Sequence, residues 1–269
     1  FARPPTPPAS PTMFGPPSML FTQPSVPDNP GKATASSAPP DMPPDLADLE
    51  QQPLEIRRAM KANVRVTQSD GIGSGVIIRR DGLKALILTN RHVVDLAFAQ
   101  TQGALQVPLS KLTEPTISYV TGAKQKGKVV WFAGEEVDLA LIEAPCPTEV
   151  EAVAWQATDE IQIGEQVFAV GNPAGLGWTY TRGVVSALRL HEYGTRKVPV
   201  IQTDTRIGPG NSGGGLYNQK GELIGINTFV VSSSRYSAGE SGLGFAIRKI
   251  VLFELKPEML QLPAVSGNP

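Results

Sequence analysis

Ser212 stands in the run Gly210-Asn211-Ser212-Gly213-Gly214. A serine among so many glycines lies where the backbone turns tightly and stays bare, so that a carbonyl can come close to main-chain N–H groups. Donors aimed where negative charge develops form an oxyanion hole. The N–H groups of Gly210 and Ser212 are the first candidates, with Asn211 between them. A hydroxyl is a weak nucleophile until a base removes its proton. The chain offers two histidines for that task. His191, in Leu190-His191-Glu192-Tyr193-Gly194, reads as the solvated surface of a polar loop. His92, in Leu88-Thr89-Asn90-Arg91-His92-Val93-Val94, stands where an apolar strand ends and a helical turn begins, which would present its ring to a cleft. A third group must orient the imidazole. Asp138, in Val137-Asp138-Leu139-Ala140-Leu141-Ile142, is an acid set into an apolar strand. Burying an unpaired carboxylate is costly, so Asp138 is expected to have a partner.

The chain order His92, Asp138, Ser212 separates three kinds of enzyme. Gly210-x-Ser212-x-Gly214 also fits the nucleophile elbow of α/β-hydrolases, which place the catalytic histidine after the serine. No histidine follows Ser212. The subtilisin order begins with aspartate and needs helices that the pattern lacks. The chymotrypsin order remains.

The elements around these residues are short and strand-like, separated by Gly, Pro, Asn and Asp. The clearest runs are Val64–Thr67, Gly75–Arg79, Ala85–Thr89, Lys128–Phe132, Val137–Glu143, Gln166–Gly171, Thr179–Leu188, Val198–Thr203, Glu222–Val231 and Gly242–Ile247. Such spacing predicts an all-β fold, and about ten to twelve strands over some 200 residues suit two six-stranded antiparallel barrels. Short helices are expected over Leu54–Ala62 and from Arg248 to about Leu255, the second stopped by Pro257. Residues 1–53 are crowded with Pro, Ser, Ala and Thr and read as a disordered, Pro-rich linker. A PxxP-type docking motif near Arg3–Pro8 is the alternative there.

From about residue 54 to 256 the chain resembles the protease domain of the HtrA/Deg branch of trypsin-like serine proteases. Gly73-Ser74-Gly75-Val76-Ile77-Ile78 resembles that family's opening hairpin, and the stretches around His92 and Asp138 resemble its histidine and aspartate motifs. Gly171-Asn172-Pro173-Ala174-Gly175-Leu176-Gly177, Thr181–Leu188, Gln202-Thr203-Asp204, Leu223–Thr228 and Gly242–Ile247 follow in the same order. The resemblance implies a protease domain over 54–262, with an N-terminal barrel at about 63–150, a C-terminal barrel at about 160–250 and a tail at 263–269. It implies a cleft between the barrels that holds His92, Asp138 and Ser212, and hydrolysis of peptide bonds through an acyl-enzyme. Substrates would be unfolded or exposed polypeptides, a protein-quality-control role. Ile207 and Val230 match the specificity pocket, with Phe229 and Val231 adjacent, which implies an aliphatic P1 residue. Thr228 to Val230 would pair with an extended substrate. The family is mostly extracytoplasmic and often trimeric through N-terminal segments. The Pro-rich composition of residues 1–53 gives no support for the trimer. Arg91, Gly215 and the run Ile207-Gly208-Pro209 depart from the family pattern, and no PDZ domain follows within this sequence.

Composition excludes other classes. The net charge of −1 argues against nucleic acid as a partner. No stretch reaches the roughly 18 apolar residues of a membrane span. A single cysteine, Cys146, allows no internal disulfide and reads as a half-buried or loop thiol. No metal or organic cofactor is expected. Gly71-Ile72-Gly73-Ser74-Gly75 joins strands rather than a strand to a helix, so it is not a phosphate loop. Ser232–Ser241 is polar and reads as a regulatory or a plain surface loop. Two classes of function stay open: an active endopeptidase, and a catalytically silent module that binds or chaperones extended peptides.

Overall fold

The computed structural model describes residues 43–261 apart from 70, 102–106, 135–136 and 231–242. Residues 1–42, Ser232–Ser241 and the tail at 263–269 lie outside the described residues. The first described element, α1 (Leu46–Glu50), falls inside the stretch read as linker. Asp45 caps it by accepting the Ala47 N–H at 2.8 Å, and Leu49 is buried. Helix α2 (Leu54–Ala62) follows, with Glu55 in its first turn and Lys61 in its last, a charge order that suits the helix dipole. Lys61 reaches back to Glu50 at 2.6 Å and ties the two helices.

The first half of the domain is a seven-stranded antiparallel sheet. Its strands are β1 (Asn63–Gln68), β2 (Gly71–Asp81), β3 (Lys84–Thr89), β4 (Thr116–Tyr119), β5 (Lys124–Lys126), β6 (Lys128–Phe132) and β7 (Ala140–Pro145). The spatial order is β5-β4-β1-β2-β3-β7-β6. The two edge strands, β5 and β6, are separated in the chain by Gly127 alone, so the sheet wraps onto itself through one kinked run. That kink divides the run into two strands, so this half has seven strands where six were expected. The second half is a closed six-stranded barrel in the order β10-β13-β12-β11-β8-β9. Its strands are β8 (Gln166–Gly171), β9 (Thr179–Tyr193), β10 (Arg196–Thr203), β11 (Gly215–Asn218), β12 (Leu223–Val230) and β13 (Gly244–Arg248). Helix α5 (Lys249–Leu255) follows the barrel and ends before Pro257, where a short 3-10 turn (Pro257–Gln261) packs Met259 into the core.

Strand periodicity sends successive side chains to opposite faces. Ile77, Ala85, Ile87, Ala140 and Ile142 fill the interior of the first sheet with Val64 and Val66. Their neighbours Val76, Ile78, Leu86, Leu88 and Leu141 join a second core that also takes Phe168, Tyr217, Leu223 and Phe253 from the other half. These strands are therefore apolar on both faces, which is why they read as unbroken hydrophobic runs.

Two readings need correction. Asp138 does not lie within a strand, because β7 begins at Ala140. It sits in the bend before it, where the Leu139 N–H closes onto the Val137 carbonyl at 2.9 Å. His191 is not in a loop either. The β9–β10 ladder runs to Tyr193 opposite Arg196, so the turn is only Gly194-Thr195 and His191 is half-buried on β9.

Candidate active site

The histidine side is built on two short helices. After β3, Asn90 precedes α3 (Arg91–Val94), and Asp95 leads into α4 (Leu96–Thr101). Asp138 grips His92 twice: Oδ1 accepts the His92 main-chain N–H at 2.9 Å, and Oδ2 lies 2.6 Å from Nδ1. This fixes both the position of the residue and the tautomer of the ring, leaving Nε2 as the free nitrogen. Burial of the ring disfavours its charged form. The Asp138 charge and hydrogen bond outweigh that effect, so the His92 pKa stands above the ordinary 6.5.

Arg91, a departure from the family pattern, has a structural role. It is buried and paired with Asp95, also buried, through Nε at 3.2 Å and Nη2 at 3.1 Å. Its guanidinium lies 4.5 Å from the Phe98 ring centroid and 4.3 Å from that of Phe132. Asp95 Oδ1 also accepts the Phe98 N–H at 3.1 Å and so caps α4.

Ser212 lies on the loop between β10 and β11. Gly210 and Gly213 flank it with φ of 95° and 85°. A side chain on Gly213 would also run into the Ser74 carbonyl and the Thr89 hydroxyl. Asn211 N–H is taken by the Gly208 carbonyl at 3.0 Å. The N–H groups of Gly210 and Ser212 have no partner among the described residues. Of the three candidate donors, Asn211 therefore contributes no free main-chain N–H. The Ser212 hydroxyl donates to the Thr228 carbonyl at 3.1 Å and not to His92. The two sides meet through Asn90, whose Nδ2 donates to the Asp138 carbonyl at 2.8 Å and to Thr228 Oγ1 at 3.0 Å.

The β11–β12 ladder ends at Ile226; beyond it Asn227 exchanges main-chain bonds with Gly213 and Gly214, and no described strand pairs with the edge from Thr228 to Val230 on that side. Thr228 is a bulge residue in the β13 ladder and is buried. Ile207 is buried against the bare main chain of Gly244. The side chains of Phe229 and Val230 lie outside the described residues. Gly215, the second departure, permits a large neighbour: a side chain there would strike the Tyr217 ring, whose hydroxyl accepts Asn63 Nδ2 at 2.5 Å. Asp204, in the motif before the serine loop, accepts the Val184 N–H at 2.7 Å.

Sequence reasoning missed Ser74, Asn90 and Asn172, all fully buried polar residues at the centre of these contacts. It also missed Tyr193. Its hydroxyl is buried without a hydrogen-bond partner among the described residues, and burial, then the Asp138 charge, raises its pKa well above 10.0. Among the described residues no group of acidic, cysteine or histidine side chains could hold a metal ion. No described helix is long and apolar enough to cross a membrane.

Comparison with known proteins gives a consistent picture. Residues 73–226 match the model of the trypsin-like peptidase domain. A probable periplasmic serine protease do/HhoA-like of Haemophilus influenzae is 37% identical over 198 residues, which is 72% of this chain and 38% of that protein. The periplasmic serine endoprotease DegP of Escherichia coli K12 is 38% identical over 191 residues, 71% of this chain and 36% of DegP. The chain thus spans well under half the length of these relatives. Among solved structures, an HtrA-type protease AlgW with tripeptide superposes with a TM-score of 0.62 at 31% identity, covering 77% of this chain and 62% of that one. A serine endoprotease from Yersinia pestis gives 0.59 at 29%, covering 77% and 65%. The chain belongs to the trypsin-like peptidase domain family, within its HtrA/Deg branch.

Proposed function

We propose that this domain is a serine endopeptidase. Ser212 attacks the scissile carbonyl while His92 Nε2 takes its proton. The tetrahedral oxyanion is held by the N–H groups of Gly210 and Ser212. Collapse expels the amine, which receives the proton from His92, and leaves an acyl group on Ser212. Water, deprotonated by His92, then releases the acid and restores the hydroxyl. The observation that carries this reading is the two-point grip of Asp138 on His92, at 2.9 and 2.6 Å. It sets the tautomer that a general base needs.

The substrate is an extended, exposed polypeptide that pairs with the open edge at Thr228–Val230. Ile207 supports an aliphatic P1 residue such as Val, Ala, Ile or Leu. The periplasmic names of the relatives support a site of action outside the cytoplasm. Labelling by a fluorophosphonate, absent in Ser212→Ala, tests the chemistry. A peptide library profiled on the wild type tests the pocket, and dominance of Lys or Arg at P1 would refute it.

One observation favours the rival reading, a silent peptide-binding module: the Ser212 hydroxyl is turned onto Thr228 instead of His92. Under that reading the wild type neither labels nor cleaves casein, yet holds extended peptides or suppresses aggregation.

A further inference from the structure

The nucleophile loop is anchored from the other half of the domain by one residue, Ser74 on β2. Its main-chain N–H donates to the Ser212 carbonyl at 2.7 Å, and its hydroxyl donates to the Gly210 carbonyl at 2.7 Å. The direction of that hydroxyl is set by its surroundings. Asn172 donates to Ser74 Oγ twice, from its main-chain N–H at 2.9 Å and from Nδ2 at 3.1 Å. With both acceptor positions of the oxygen occupied, its single proton is committed to Gly210. Asn172 is itself fixed by a third bond, from Nδ2 to the Val64 carbonyl at 3.2 Å. The Thr89 hydroxyl holds the Ser74 carbonyl at 2.6 Å. Ser74, Thr89, Asn172 and Val64 are all fully buried.

The consequence falls on the loop. The carbonyls of residues 210 and 212 are both drawn onto Ser74, and the intervening Asn211 N–H is drawn back to Gly208. Between residues 210 and 213, the N–H groups left without partners among the described residues are those of Gly210 and Ser212. A glycine loop with two positive φ angles has many competing conformations, and a peptide flip at 210–211 would exchange the carbonyl for an N–H. Such a flip would break the Ser74 bond and leave a buried hydroxyl proton without an acceptor, which is disfavoured.

We propose that Ser74, oriented by Asn172, is a positioning residue that holds the loop in its oxyanion-binding form and couples that form to the packing of the two halves. The inference rests on the endopeptidase reading above, and the experiment separates the two. Ser74→Ala, Ser74→Thr and Ser74→Val are compared with wild type in fluorophosphonate labelling rate and in turnover of a quenched fluorescent peptide. Ser74→Ala lowers kcat and the labelling rate by about 10- to 100-fold, somewhat less than loss of a whole oxyanion donor, with KM within about 2-fold. Thr and Val share a shape and differ in the hydroxyl, so folding damage from the added methyl groups is common to both. The Thr variant recovers at least about 10-fold over the Val variant. Equal Thr and Val rates, unchanged kcat in Ser74→Ala, or a rise in KM that accounts for the loss would each overturn the proposal while leaving the endopeptidase reading intact. A wild type that neither labels nor turns over peptide overturns the endopeptidase reading itself, and Ser74 then has no oxyanion to serve.

Discussion

On the histidine side of the cleft, side chains are held by side chains. Asp138 latches His92, Arg91 pairs with Asp95, and the guanidinium lies between Phe98 and Phe132. On the serine side, the proposed working groups are the main-chain N–H groups of Gly210 and Ser212; the chain that carries them is held by Ser74, which donates to the Gly210 and Ser212 carbonyls, and by the Asn211 and Gly213 N–H groups, which donate to Gly208 and Asn227. The difference follows from the chemistry. A general base needs one ring in one tautomer, and specific side chains with defined rotamers can impose that. An oxyanion hole needs bare backbone, which only glycine-rich chain supplies, and such chain has no side chains with which to brace itself. The brace therefore comes from the neighbouring sheet. On the proposed reading, the first half of the molecule carries the base and also steadies the loop that the second half provides.

Removing the nucleophile gives the largest effect and tests whether the serine side does chemistry. Ser212→Ala should lower kcat by about 10⁵- to 10⁶-fold and abolish fluorophosphonate labelling, while peptide binding on the β12 edge persists. Asp138→Asn attacks the histidine side. It should cost about 10⁴-fold in kcat, because an amide in place of the carboxylate selects the wrong tautomer. Steady-state kinetics on one peptide measures both. Equal residual activity in the two variants would mean that the latch on His92 carries no catalytic weight of its own.

The sequence disclosed the parts of the site that depend on residue type and order. Strand runs, helix α2, His92, Asp138 and Ser212 follow from hydrophobic period, glycine clustering and the number of histidines. The short strands β4, β5 and β11 did not stand out, since three or four residues give no period to count. Asp138 was placed in a strand because the apolar run begins before the backbone straightens. The brace itself was hidden. Ser74 lies 136 positions from Gly210 in the chain and 98 from Asn172, and a serine between two glycines has the same local appearance whether it is a hub or a turn. The role of Arg91 was equally invisible, because its aromatic partner Phe132 belongs to a distant strand.

Arg91 offers a test of how stiff the histidine side is. Arg91→Met leaves Asp95 charged and buried without its partner, and breaking such a pair costs about 3 to 5 kcal/mol of stability. Adding Asp95→Asn should restore part of this, since the amide oxygen still caps Phe98 and no bare charge remains. Chemical denaturation of the single and double variants measures the coupling. Additive losses would show that the pair contributes packing alone.

The smallest effect is the most specific, because a single proton on His92 moves activity and stability in opposite directions. The His92 pKa is raised above 6.5 by Asp138, against the contrary pull of burial. The base works only when neutral, so kcat/KM should climb with pH through a midpoint above 6.5. The folded state binds this proton more tightly than the unfolded chain does. The resulting stabilisation is complete below 6.5 and is lost as pH rises through the folded pKa. Activity should therefore rise across the window in which this part of the stability falls. The ring remains 31% exposed, so water limits the size of the stability change, though not its sign. In Asp138→Asn both raising causes vanish and burial acts alone, so the residual activity should titrate below 6.5. A midpoint that stays above 6.5 in that variant would mean that a group other than Asp138 sets the charge of His92.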